Sequence, residues 1–90
     1  MHYVYILYFG TKQKLYIGYT ADLKRRIKEH QIGSVYSTSR LGSFILLFYE
    51  AFYSKGDALR REKYFKTSKG KRSLRAILEN SLQMQDCPVV

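Results

Sequence analysis

An arginine and a histidine fall on the apolar face of one short amphipathic segment of this 90-residue sequence. Residues 22–31 are expected to form a helix. At about 100° per residue, Arg26 and His30 lie within about 60° of Leu23, whereas the neighbouring cations point away. An inward arginine must find an acceptor or border a cleft. Arg26 and His30 are therefore candidate site residues, against the alternatives of a surface cation and a packing histidine.

A carboxylate lies in the middle of the apolar face of another expected helix, residues 57–67. With Ala58 set to zero, Glu62 falls near about 40° and Phe65 near about −20°. A carboxylate in such a position is costly unless it pairs with a cation, a hydrogen-bond donor or a metal. Glu62 is therefore the third candidate, and a buried ion pair with an arginine is the alternative.

Two tyrosines belong to a predicted hairpin. Residues 2–9 and 15–18 are β-branched and aromatic, and the polar segment from Gly10 to Lys14 separates them. Tyr5 on the first strand and Tyr16 on the second come close if the register permits. Their alternative role is packing at the margin of the core. Gly18 ends the second strand, which indicates either a positive φ or a close approach to the backbone.

Together these side chains could carry out phosphodiester hydrolysis. That reaction needs an activator for the nucleophile, a cationic clamp on the phosphate and stabilisation of the leaving oxygen. A pair of phenols, a guanidinium and a metal held by one carboxylate would supply them. One carboxylate is enough for Mg²⁺, which keeps most of its waters.

The pattern resembles the GIY-YIG nuclease family over residues 2 to about 80. Tyr3-Val4-Tyr5 stands at the first triplet of the family, and Tyr16-Ile17-Gly18 matches the second completely. Arg26 falls at the family arginine, His30 where some homing endonucleases carry histidine, and Glu62 at the metal-binding glutamate. The chain looks most like the small stand-alone branch, related to the nuclease domain of the excision-repair incision subunit.

The resemblance implies a small three-stranded antiparallel sheet flanked by helices, and hydrolysis with one metal ion, Mg²⁺ or Mn²⁺. Glu62 would hold the metal and Arg26 would clamp the scissile phosphate. Tyr5 is favoured as the activator of the attacking water, with Tyr16 orienting the water or sharing the role. A free tyrosine has a pKa near about 10, so it needs help to act as a base. His30 would support the phosphate or relay a proton.

Two positions depart from the family pattern. Tyr3 replaces the glycine of the first triplet. Many members also carry an asparagine about a dozen or more residues after the glutamate, where this chain has none, and Asn80 comes too late. Support for the leaving group would fall to Lys69 or Ser73, or be missing.

The remaining elements complete an α+β fold in the order β-β-α-β-α-α. Asp22 or Thr20 caps the first helix, and Gly33 stops it. Residues 33–43 form a polar loop, and residues 44–53 form a third strand expected to be buried on both faces for most of its length. Ser54 or Asp57 caps the second helix. A break at Lys69-Gly70-Lys71 precedes a last helix at 71–83. One domain is expected over residues 1–83, with a frayed tail at 84–90.

The charge of +9 is concentrated in two segments. Residues 55–75 hold nine of the 16 lysines and arginines and two acids, and residues 24–28 add four cations. Such clustering favours a polyanion such as nucleic acid, although a solubilising surface is the alternative. Candidate contacts with nucleic acid are spread over the strand end, the first helix, the loop and the basic segment: Gly18, Lys24, Arg40, Lys66, Lys69, Lys71 and Arg72.

The sequence argues against several other classes. Cys87 is the only cysteine, so an internal disulfide and a cysteine-rich zinc cluster are excluded, and a reducing compartment is favoured. No apolar run approaches the ~20 residues of a membrane span, and no signal peptide is evident. A cytoplasmic protein is expected.

Three functions fit these observations. The first is a metal-dependent endonuclease that is selective for DNA structure (branched, nicked or single-stranded) in repair or recombination, with RNA left open as a substrate. The second is a non-catalytic basic module that keeps the nuclease fold. The third is a basic RNA-associated protein. A monomer or weak homodimer is expected, without membrane association.

Overall fold

The computed structural model describes residues 1–86 as a three-stranded sheet with helices on both faces. The strand order is β2-β1-β3, and β1 is antiparallel to both neighbours. The elements are β1 (His2–Phe9), β2 (Lys14–Thr20), α1 (Leu23–Gln31), β3 (Ile45–Phe52), α2 (Lys55–Phe65), α3 (Ser68–Ile77) and α4 (Glu79–Asp86). The predicted α+β class and the antiparallel sheet are confirmed, with one helix more than expected.

The central strand β1 is apolar on both faces, as its sequence predicts. Alternate side chains of a strand point to opposite faces, and every residue from Val4 to Phe9 is buried. One face packs against α1, whose Leu23 and Ile27 meet a cluster of Tyr5, Leu7 and Phe9. The opposite face packs against α2, α3 and α4 through Val4, Ile6, Tyr8, Ala58, Phe65, Leu74, Leu78 and Leu82.

Helix α1 begins and ends where the sequence indicates. Asp22 is the N-cap, and its side chain accepts a hydrogen bond from the backbone N–H of Arg25. Gly33 follows the helix with φ of +77°, a conformation that favours glycine. These two residues fix the length of α1 and the register of its inward face.

The expectation that the third strand is buried on both faces is wrong. β3 pairs with β1 on one side only, and Ile45, Leu46 and Tyr49 are all at least 38% exposed. An apolar run is typical of a central strand, but it is compatible with an edge strand when a helix covers only part of the sheet. β3 is thus the apolar edge of this molecule.

The break between the later helices also lies elsewhere than predicted. Helix α2 ends at Phe65, and Thr67 caps α3 by accepting a hydrogen bond from the N–H of Gly70. Gly70 is buried inside α3, where an added Cβ would overlap the backbone carbonyl of Tyr64. Glycine is needed here for close packing of two helices rather than for a turn.

The expected last helix at 71–83 is divided in two. Leu78 ends α3, and α4 runs to Asp86, so residues 84–86 of the expected tail are helical. Residues 87–90, including Cys87, lie outside the described part. None of the helices described over residues 1–86 is long and apolar enough to cross a membrane.

Candidate active site

The two tyrosines come together on the face of the sheet that α1 covers. Tyr5 of β1 pairs with Gly18 of β2, so Tyr16 stands diagonally opposite, with 6.2 Å between the ring centroids. A Cβ on Gly18 would overlap the Tyr5 ring, and the φ of Gly18 is not positive. The close approach that Gly18 permits is therefore that of Tyr5.

A chain of hydrogen bonds leads from Tyr5 into the fold. The Tyr5 hydroxyl lies 2.8 Å from Nε2 of His30, and Nδ1 lies 2.7 Å from Oγ1 of Thr38. The Thr38 hydroxyl donates to the Val35 carbonyl at 3.5 Å. With that proton committed, Nδ1–H donates to Thr38 and Nε2 accepts from Tyr5. Thr38 thereby fixes the tautomer in which His30 can take a proton from Tyr5.

Burial keeps both members of this pair neutral. Desolvation raises the pKa of Tyr5 to about 12, against the opposing influence of the Arg26 guanidinium. Desolvation, followed by the repulsion of Arg26, lowers the pKa of His30. The pair at neutral pH is therefore a phenol that donates and an imidazole that accepts.

Arg26 stands beside the phenols at the margin of solvent. Its side chain is 36% exposed, compared with 76% for Arg25. It donates to Glu29 at 3.0 Å, and its proximity to Tyr5 and to Glu29 raises its pKa further. The Arg26 guanidinium thus has both a fixed position and an accessible side, as a phosphate clamp requires.

The exposure of the two phenols differs. Tyr5 is 0% exposed, so its hydroxyl has no direct route to bulk solvent. Tyr16 is partly exposed, and its ring centroid lies 5.2 Å from that of His30. The role of Tyr5 as activator of the attacking water stays a prediction. Of the two phenols, Tyr16 is the one that solvent can reach.

Glu62 lies on α2, on the opposite face of the sheet. It is 20% exposed, and Lys66 Nζ contacts its Oε2 at 3.2 Å. Within α2, Arg61 and Glu62 flank the buried line from Ala58 to Phe65 on opposite sides. Arg61 reaches Glu50 on β3 at 2.8 Å, so Glu62 faces the β2 side.

The structure therefore joins four of the five candidates directly and leaves the fifth apart. Tyr5, Tyr16 and His30 contact one another, and Arg26 lies beside Tyr5. None of the hydrogen bonds or ion pairs found within residues 1–86 links Glu62 to them. Arg26 and Glu62 lie on helices, α1 and α2, that pack against opposite faces of the sheet.

The donor set suits a metal that keeps most of its water. No cluster of three or more His, Cys, Asp or Glu exists in the part of the chain described. Glu62 offers Oε1, while Lys66 contacts Oε2. A single carboxylate at a partly exposed position fits Mg²⁺ or Mn²⁺, which bind through few protein oxygens, and it does not fit zinc.

Most of the predicted nucleic-acid contacts are exposed cations. Lys69, Lys71 and Arg72 are exposed on α3, and Lys71 lines a cleft with Lys14 of β2. Lys24 and Arg40 are exposed on α1 and in the loop. Lys66 forms an ion pair with Glu62. Ser73, considered for the leaving group, is bonded to the Tyr64 hydroxyl at 2.9 Å, so it serves helix packing.

Sequence reasoning missed two residues of this site. Thr38 lies in a loop without periodicity, so nothing local indicates that it reaches His30. Glu29 follows Arg25 by four positions and Arg26 by three, a spacing that favours ion pairs on a helix. That spacing could have identified Glu29 as the partner that holds Arg26.

Comparison with known proteins gives a consistent result. The GIY-YIG catalytic domain matches residues 1–75. A UPF0213 protein of Pediococcus acidilactici is 34% identical over 83 residues, which cover 89% of this chain and 84% of the relative. A UPF0213 protein of Staphylococcus haemolyticus is 38% identical over 80 residues, which cover 87% and 95%. The solution NMR structure of a UPF0213 protein from Bacillus halodurans has a TM-score of 0.54 and 40% identity, covering 84% of this chain and 83% of that one.

Proposed function

This chain belongs to the GIY-YIG nuclease family, and on that premise we propose that it is an endonuclease that hydrolyses phosphodiester bonds in DNA with Mg²⁺ or Mn²⁺. Members of the family act on nucleic acid and generally depend on a divalent metal. The observation that carries the proposal is the hydrogen bond between Tyr5 and His30, with the Arg26 guanidinium and the partly exposed Tyr16 beside Tyr5.

The first role in the reaction is placement of the phosphate. Arg26 binds the scissile phosphate with the donors that Glu29 leaves available, and the ion pair with Glu29 holds the guanidinium in place. A metal held by Glu62 would neutralise phosphate charge and stabilise the leaving oxygen when it is bound.

The second role is transfer of a proton. The water at Tyr16 attacks phosphorus, so that a phosphorus–oxygen bond forms to the water and the bond to the leaving oxygen breaks. Tyr16 takes the proton lost by the water and passes its own proton to Tyr5, and the Tyr5 proton passes to Nε2 of neutral His30. Neither phenol has to exist as a free phenolate, which a pKa of about 12 for Tyr5 would disfavour.

A plasmid-nicking assay with Mg²⁺ or Mn²⁺ tests this proposal, together with branched, nicked and single-stranded oligonucleotides. The wild type should cut, and Glu62→Gln should bind DNA equally but fail to cut. Glu79→Gln removes an exposed carboxylate on α4 and serves as the matched control that should still cut. Equal cutting by the Glu62 variant would refute the metal role of that residue.

A non-catalytic binding module is the second candidate. Residues 63–78 contain no asparagine, and the Ser73 hydroxyl is hydrogen-bonded to Tyr64, so Lys69 alone remains of the two side chains predicted to support the leaving oxygen. Failure of the wild type to cut any structured substrate, with binding intact, would establish this alternative. A preference for RNA without a metal requirement would favour an RNA-associated role.

The cellular setting belongs to the same proposal. The lone cysteine of the sequence and a nucleic-acid substrate fit a cytoplasmic protein that acts as a monomer or weak homodimer in DNA repair or recombination. The chain brings no further DNA-reading element within residues 1–86, so selectivity for DNA structure rather than sequence is expected.

A further inference from the structure

The second flank of α1 borders a groove that the proposed reaction does not use. Helix α1 presents Arg26 and Glu29 on the flank that faces β2, and Lys24 and Lys28 on the other flank. The groove of about 770 Å³ runs between this second flank and the edge strand β3. Its floor is formed by side chains of the sheet, Tyr3, Leu46 and Tyr49.

The aromatic floor is open to solvent. Tyr49 is 50% exposed, and Tyr3 meets it edge to face with 6.0 Å between the ring centroids. Tyr3 also stands where the family triplet has glycine, so this chain adds a ring at that position. A half-exposed ring braced by a second ring presents a flat apolar surface of the kind on which a nucleic-acid base stacks.

The charges of the groove suit a phosphate backbone. Lys24 and Lys28 are exposed and lie one helical turn apart on its wall. Among the residues that the structure describes, Asp22 is the only acid lining the groove, and it accepts a hydrogen bond from the backbone of α1 as its N-cap. An apolar floor with a cationic wall is complementary to a chain of bases and phosphates, and not to an apolar peptide or to a second copy of this basic protein.

The groove and the pocket at Arg26 adjoin at the turn between β2 and α1. Ala21 and Asp22 line both depressions. A strand cut at Arg26 can therefore continue around the start of α1 into the groove. Bases within a duplex are paired and stacked, so only an unpaired base can lie on Tyr49.

We propose that the groove between α1 and β3 binds an unpaired DNA segment adjoining the scissile phosphate, with a base stacked on Tyr49 and phosphates held by Lys24 and Lys28. The position of the cut rests on the proposed function, whereas the binding site itself does not. The groove gives the enzyme a preference for substrates with a single-stranded segment next to the cut.

Binding of a fluorescent single strand of about 12 nucleotides, without divalent metal, tests the proposal. The strand carries one 2-aminopurine, whose emission reports stacking. Tyr49→Ala should weaken binding about 5- to 150-fold, the range for the loss of one stacked base, and abolish the change in emission. Tyr49→Phe, which keeps the ring, should bind as the wild type does. Tyr53→Ala removes a tyrosine that is 93% exposed outside the groove and should have no effect.

Further measurements separate base stacking from general electrostatic attraction to DNA. Lys28→Ala should lower the slope of log affinity against log salt by about 0.7, as expected for one phosphate contact on a single strand. Tyr49→Ala should leave the binding of a blunt duplex unchanged. Equal affinity of Tyr49→Ala and wild type for the single strand, or an equal loss on the duplex, would overturn the proposal.

The oligomeric state shows whether a second copy of the protein, rather than DNA, occupies the groove. If sedimentation shows a wild-type dimer that Tyr49→Ala converts to a monomer while oligonucleotide binding is retained, the groove is an interface between copies and the proposal is wrong. Because the assay contains no metal, its outcome is independent of cutting. A protein that stacks the base but never cuts would keep this site and lose the proposed nuclease function.

Discussion

Removal of the Tyr5 hydroxyl should cost the fold much more than the loss of an ordinary tyrosine hydroxyl. Tyr5 is 0% exposed, and its hydroxyl is 2.8 Å from Nε2 of the buried His30. Tyr5→Phe leaves the ring in place, but Nε2 of His30 then lacks a hydrogen-bond donor. A buried polar atom deprived of its partner costs about 1–3 kcal/mol. For a domain of this size, each kcal/mol corresponds to about 4–8 °C in Tm.

The same variant should change the response to alkaline pH. The pKa of Tyr5 is raised from 10.0 to about 12 in the folded protein. The corresponding stability is therefore fully present below pH 10, where both states keep the proton, and is lost as the pH rises towards about 12. Two pKa units correspond to at most about 2.7 kcal/mol. Tyr5→Phe lacks this contribution, so its stability should fall less steeply above pH 10.

Urea unfolding followed by circular dichroism measures both effects, at pH 7.5 and at intervals from pH 9 to the highest pH at which the protein remains folded. Tyr53→Phe is the matched control, since Tyr53 is 93% exposed and such surface changes stay within about 0.5 kcal/mol. A Tyr5→Phe protein as stable as the control at pH 7.5, with the same alkaline slope as the wild type, would refute the buried Tyr5–His30 hydrogen bond.

Two further predictions concern the same site. The pKa of His30 is lowered by burial and by Arg26, so protonation of His30 favours the unfolded state. The free energy of unfolding should therefore fall as the pH drops below about 6.5, and the fall should be smaller in His30→Gln. Urea unfolding from pH 4.5 to 7.5 measures this, and parallel profiles for the two proteins would contradict it. Gly18→Ala places a Cβ inside the Tyr5 ring and should lower the free energy of unfolding by about 1–3 kcal/mol. Gly10→Ala, where the nearest atom is 3.8 Å away, should be tolerated. Thermal unfolding compares the two, and equal Tm values would show that Tyr5 does not need the space.

The features that the sequence determined depend on local geometry. The apolar run of residues 2–9 gives a strand that is buried on both faces, and Asp22 and Gly33 delimit α1 through capping and a positive φ. The angular position of Arg26 on α1 follows from helical periodicity, so the sequence alone distinguishes the inward Arg26 from the outward Arg25. The triplets and their spacing were sufficient to indicate the family, which the domain match confirms.

Other features depend on contacts between segments that are distant in the chain. The neighbours of an apolar strand are set by sheet order, so the run at 44–53 did not reveal that β3 is an edge. Gly70 resembled a break because glycine is common at helix ends, yet the Tyr64 carbonyl from the preceding helix requires it within α3.

The exposure and the hydrogen-bond partners of the site residues were decided only by tertiary structure. Sequence placed Tyr5 and Tyr16 together, but the packing of α1 over β1 buries one phenol completely and leaves the other accessible. Thr38 reaches His30 because the loop after α1 folds back over that helix, a contact that no periodicity predicts. Burial and partner choice depend on the whole set of neighbours, and residue spacing along the chain specifies only which side chains share a face.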